Sequence, residues 1–163
     1  MDNRNRTPGH AETLRRMGIA PADADLLELM PLIEMVWADG LAADAELALL
    51  DSYIQDLTRR LEADQARVDV THVEEFVLPF LKHRPQPEQL QTLRNIGLQR
   101  MLQKPDAAER RRRLLAACLD IGSAAVKQYP YPMGERFSSD EKKTFFEILQ
   151  TIEDAQQTKL STM

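Results

Sequence analysis

The sequence predicts an all-α, single-domain helical bundle of about six or seven helices. Three observations predict it. Apolar residues recur at i, i+3 and i+4 over most of the chain, and no segment alternates with period two over a strand's length. Glycines number only 6 and Asn-Gly-type dipeptides are absent, which argues against hairpins. The hydrophobic fraction of 43% and charged fraction of 29% are globular values, and 163 residues suit one domain with a sizeable core.

The elements follow in order. Residues 1–10 read as a polar tail, residues 11–157 as the domain and residues 158–163 as a second tail. Ala11 to Met17 forms a short helix that Gly18 stops. Pro21 suits the first turn of the next helix, and Asp23 and Asp25 lie favourably near its positive end. That helix runs to about Ala38, with a stripe so wide (Leu26, Leu27, Leu29, Met30, Leu32, Ile33, Val36, Trp37) that most of its sides must be buried. Pro31 lies inside it and should kink it or split it in two.

Gly40 is suited to end that helix, and a second long helix spans about Asp44 to Leu61 on Leu47, Leu50, Ile54, Leu57 and Leu61. Thr71 and Glu74 form a capping box for the next, whose face is Val73, Phe76, Val77 and Phe80. His83 to Pro87 is a connector. Glu88 to Gln103 is helical, and Pro105 opens a long helix to about Gln128. Tyr129-Pro130-Tyr131-Pro132 breaks it. Ser138 and Glu141 form a further capping box before a last helix that ends near Ala155.

The totals narrow the function classes. A net charge of −5 argues against nucleic acid as the partner. The single cysteine, Cys118, excludes an internal disulfide and a Cys-based zinc site within one chain, and it suits a reducing compartment. No apolar signal core opens the sequence and no stretch is long enough to span a membrane, so the expected location is the cytoplasm.

One segment stands out: Trp37-Ala38-Asp39-Gly40-Leu41-Ala42-Ala43-Asp44-Ala45-Glu46-Leu47, an acidic turn between two apolar helices. It resembles the signature of TerB-like (tellurite resistance) domains, in which an apolar helix ends in Ala-Asp-Gly and a glutamate follows near the start of the next. Ala38, Asp39, Gly40 and Glu46 carry the match. The resemblance covers Leu26 to Leu57, with a shorter second copy over Met133 to Ile152. There Glu141 aligns with Glu46 and Phe137 with Ala42, whereas Gly134 and Glu135 stand where Asp39 and Gly40 stand. The resemblance implies a bundle with two pseudo-repeated helix pairs, no general catalytic activity, and a theme of tellurite and chemical-stress response. It also implies divalent-metal binding by the acidic residues.

The residues weigh as follows. Asp39 beside the negative end of a helix dipole is mildly unfavourable, by roughly 0.3–1 kcal/mol, so a cation or a turn hydrogen bond would explain it. Glu141 is explained by its capping box. Glu46 is less so, because Ala43 has no hydroxyl to offer, although Asp44 can cap instead. The candidate metal ligands are therefore Asp39, Asp44 and Glu46, with calcium the first candidate ion and carbonyls or water completing its six to eight oxygens. The regular ligands of an EF-hand loop are missing.

The blander readings are structural. His72 is solvent-facing, and its spacing from Glu75 does not make a di-iron pair. Arg110 to Arg113 spread around a helix and read as a solvated surface, with Asp106 positioned to pair with Arg110. Cys118 and Trp37 read as core residues. The expectation is a non-enzymatic, metal-responsive module with a protein partner, the homo-oligomeric state left open. Its alternative is a helical adaptor whose apolar groove binds a partner without metal. An enzyme with a site assembled from distant residues is a third reading.

Overall fold

The computed structural model describes residues 10–38, 44–63, 69–128 and 139–161. They form an all-α, single-domain bundle, as the sequence predicts, with no strand among the described residues. The elements are α1 (His10–Arg16), a 3-10 segment (Pro21–Leu29), α2 (Met30–Trp37), α3 (Asp44–Ala63), α4 (Val70–Lys82), α5 (Pro87–Leu102), α6 (Ala107–Gln128) and α7 (Ser139–Ser161). No helix among the described residues is long and apolar enough to cross a membrane.

Gly18 ends α1 as its sequence position suggests. Its φ of 77° is the left-handed conformation that favours glycine. The amides of Gly18 and Ile19 then reach back to the carbonyls of Arg15 and Leu14, at 3.1 and 2.8 Å, and satisfy two of the four carbonyls that a helix end leaves open.

Pro31 splits the helix expected from Pro21 to Ala38 into two elements, one of the two outcomes its position allows. Pro31 has no amide hydrogen, so the carbonyl of Leu27 cannot receive its α-helical bond. The amide of Met30 bonds to that carbonyl instead, and the chain up to Leu29 winds as the tighter 3-10 form. Proline is tolerated at the second residue of α2, where no intrahelical amide bond is needed.

Other boundaries differ from the expectation for local reasons. Asp69, not Thr71, caps α4: its carboxylate accepts from the His72 amide at 2.7 Å, so the helix starts at Val70. Helix α4 passes through Pro79 to Lys82. Pro105 sits in the turn before α6, and Asp106 takes the cap position, its carbonyl receiving the Arg110 amide at 3.0 Å. With no breaker after Ala155, α7 continues to Ser161. The Tyr129–Pro132 break, Ser138 of the second capping box and the Asp39–Gly40 turn lie outside the described residues.

Helix α2 is the axis of the bundle. Every residue from Met30 to Val36 is buried, and α3, α5, α6 and α7 pack around it. Fully burying each of its large apolar side chains contributes roughly 1.5–3 kcal/mol. Helix α4 joins through α3, and the Trp37 indole donates to the Phe80 carbonyl at 2.9 Å, tying the end of α2 to the end of α4. Trp37 is thus a half-buried clamp rather than a fully enclosed core residue.

Helix α5 packs tightly against the 3-10 segment. A Cβ built on Gly97 would stand 2.6 Å from the Leu27 carbonyl carbon, and nearer still to its oxygen. Propensity alone favours alanine over glycine inside a helix by about 0.5–1 kcal/mol. Overpacking against backbone, which cannot rotate away, costs about 1–3 kcal/mol or more. The clash therefore wins. We predict that Gly97→Ala lowers the unfolding free energy by at least about 1 kcal/mol in urea titration. A neutral or stabilised variant would show that α5 and the 3-10 segment are not held this close.

Candidate functional site

The first place to look is the acidic turn. Asp44 opens α3 and is exposed; Glu46, its third residue, is fully buried. Residues two apart on a helix point about 200° away from each other. Asp44 and Glu46 diverge accordingly, one toward water and one into the bundle. Asp39 lies outside the described residues. Among the described residues no group of three or more His, Cys, Asp or Glu side chains is placed to hold a metal ion.

Glu141 repeats the arrangement of Glu46. It is the third residue of α7, it is buried, and both glutamates are held by interactions within the protein. Burial of Glu46 had a signal in the sequence, since it lies four residues before Leu50 and seven before Tyr53, both buried on the inner face of α3.

Two further buried glutamates were not picked out by the sequence reading, although both interrupt the most apolar stretch of the chain. Glu28 keeps 3% of its surface exposed. Its Oε1 receives the Tyr53 hydroxyl at 3.2 Å and faces Arg60 at 3.5 Å, while Oε2 lies 3.7 Å from Arg110. Arg60 and Arg110 are held in turn by Asp56 and Asp106, at 3.2 and 2.6 Å. Burial raises the Glu28 pKa against the pull of both arginines. Arg110 is thus a core residue and not part of a solvated run, although its pairing with Asp106 was legible.

Glu34 is 8% exposed and bonds Arg94 of α5 at 2.8 Å, with Glu147 of α7 at 4.0 Å from the same guanidinium. Burial outweighs the Arg94 attraction, the nearby Glu147 adds to it, and the Glu34 pKa is pushed up to about 7.

Glu34 lines a cleft of about 230 Å³ at the C-terminal end of α2, next to the point where the chain enters the acidic turn. Trp37 and Ala38 of α2 form its back. Arg84 and Pro85 come from the α4–α5 connector, and Pro87, Leu90 and Gln91 from the first turns of α5. Asp140, Lys143, Thr144 and Glu147 share one face of α7 and close the other side. Across the connector a wider groove of about 560 Å³ runs between the end of α1 and α4, with Met17, Ile19, Phe76, Pro79 and Phe80 on its walls.

The remaining candidates are structural. The His72 imidazole pairs with Asp23 at 2.6 Å and ties α4 to the 3-10 segment, and that hydrogen bond raises its pKa. Cys118 is buried, as expected, and burial pushes its thiol far above the range in which a thiolate would form.

No family model matches the chain, and neither a curated protein nor a solved structure matches it. The likeness to TerB-like domains rests on the motif residues themselves.

The Glu34 environment sets a pH dependence. The ordinary value is 4.5 and the folded value about 7, so between these the folded chain holds more protons than the unfolded one. Stability contributed by Glu34 is therefore fully present below pH 4.5 and lost as the pH rises through about 7. Glu28 shifts in the same direction and adds to the decline. Glu34→Gln should flatten, without abolishing, the fall in melting temperature between pH 5 and 8, as read by circular dichroism. An unchanged slope would show that Glu34 titrates as an exposed carboxylate.

Proposed function

We propose that the chain is a non-catalytic, TerB-like module of a chemical-stress response, and that it takes a divalent cation, calcium first, at the acidic turn of Asp39 and Asp44, with Glu46 turned into the bundle behind it. The observation that carries this reading is the repeated placement of Glu46 and Glu141. Each is the third residue of a long helix, each is buried, and each follows an acidic or polar turn that the sequence aligns with the other. That is the two-half pattern that the motif implies.

Glu46 gives the turn a rigid connection to the core, because a buried side chain on the first turn of α3 moves only with the helix. A cation drawn to Asp39 would offset the unfavourable charge that its carboxylate brings to the end of the helix. Asp44 is exposed at the start of α3 and adds a second carboxylate to the turn's sequence. The binding event would then be felt along α2 and α3, which pack on each other.

A second reading has its own observation. The 560 Å³ groove beside α4 offers Phe76 and Phe80, with ring centroids 5.7 Å apart, to an apolar side chain of a partner protein. On this reading the chain is an adaptor and needs no metal.

Calorimetric titration of metal-free protein with calcium, magnesium, manganese and zinc separates the two. The first reading expects micromolar binding of at least one ion, lost in Asp39→Asn combined with Glu46→Gln. Because Glu46 is buried, Asp39→Asn with Asp44→Asn serves as the variant that keeps the core intact, and it should weaken binding at least about tenfold. Silence with every ion at millimolar concentration overturns the cation site and leaves the adaptor.

A further inference from the structure

We infer that the cleft at the C-terminal end of α2 is a binding site for a small zwitterion of the free amino-acid class, with its ammonium group on Glu34 and the α7 carboxylates and its carboxylate on Arg84 and Lys143.

The first support is an unsatisfied buried acceptor. Glu34 is more than nine-tenths buried, and its Oε2 is engaged by Arg94. Its Oε1 is buried with no hydrogen-bond partner among the described residues. Leaving such an atom unpaired forfeits its hydration with nothing in return, and more so for a charged group. Glu34 lines the cleft, so a small turn of its carboxylate would bring this acceptor to a ligand N–H and remove that cost.

The second support is the balance of charge. Asp140 and Glu147 bring negative charge to the cleft and Glu34 a carboxyl that ionises near neutrality, while Arg84, Lys143 and the underlying Arg94 bring three positive groups. A lone anion would meet the carboxylates, and a lone amine would meet Arg84 and Lys143. A ligand carrying both signs meets a partner for each. A divalent cation fits poorly, because the Arg94 guanidinium lies 2.8 Å from Glu34 and 4.0 Å from Glu147 and holds the space between them electrostatically.

The third support is size and wall chemistry. A volume of about 230 Å³ falls below the roughly 300–1,000 Å³ typical of drug-sized ligands, so a single small metabolite fits where a peptide or nucleotide does not. Trp37 and Leu90 supply an apolar wall for a side chain. No lining residue of the cleft is among those proposed for the cation, and the test is run with chelator present so that the two stand or fall independently.

The experiment is calorimetric titration of the full chain with the set of proteinogenic L-amino acids, with n-propylamine and propionate as single-charge probes. At least one amino acid should bind with a submillimolar Kd, and both single-charge probes should bind at least about tenfold more weakly. Glu34→Gln should weaken binding roughly 10–100-fold through loss of a charge-assisted bond. Two variants on exposed or half-buried positions guard against a folding defect: Thr144→Trp, which fills the cleft, should abolish binding, and Lys143→Glu should weaken it about tenfold. Melting curves like the parent's would show them folded. The inference is overturned if no amino acid binds at about 10 mM, if propylamine or propionate binds as well as the best amino acid, or if binding survives both surface variants.

Discussion

The approach of Gly97 to the Leu27 carbonyl sets the geometry on which the rest depends. Pro31 withholds the amide that would normally bond to Leu27, and Gly97 removes the Cβ that would hold α5 away. With the two backbones that close, α5 crosses the central segment antiparallel and in one register. Arg94, three residues before Gly97, meets Glu34; Arg100, three residues after it, meets Asp25 at 3.0 Å. One face of α5 thus carries a contact point flanked by an ion pair on each side.

The buried carboxylates extend that logic. The central stretch is almost wholly apolar, and apolar contacts alone are tolerant of sliding. Glu28 and Glu34 are not: each must meet its own arginine, from α3 and α6 in one case and α5 in the other. Such pairs contribute little net stability after desolvation, but removing one partner leaves a buried charge and costs about 3–5 kcal/mol. Their effect is to penalise wrong packings more than to deepen the right one.

Much of this was legible in the sequence. Helical periodicity identified the elements because buried faces repeat at 3.6 residues whatever their partners are. Gly18 as a stop, Cys118 as a core residue and Asp106 with Arg110 as a pair all followed from local spacing. The break at Pro31 followed as well, but the 3-10 winding of Pro21–Leu29 did not, since its composition is equally that of an α-helix. Nor did the burial of Arg110, whose partner Glu28 lies on a distant segment. The cleft was invisible for the same reason, being built from α2, the α4–α5 connector, α5 and α7. For the acidic turn, spacing identified Asp44 and Glu46 as a cluster, whereas the helix sends them to opposite sides.

The proposed cation and zwitterion sites both draw on the C-terminal end of α2, whose Trp37 and Ala38 line the cleft. Amide chemical-shift mapping by heteronuclear NMR tests this most directly, with calcium and the best-binding amino acid added in separate titrations. The account predicts calcium-induced shifts centred between Trp37 and Leu47, and amino-acid-induced shifts at the α4–α5 connector, the start of α5 and the first turns of α7. Shifts centred elsewhere, or none with either ligand, would contradict it.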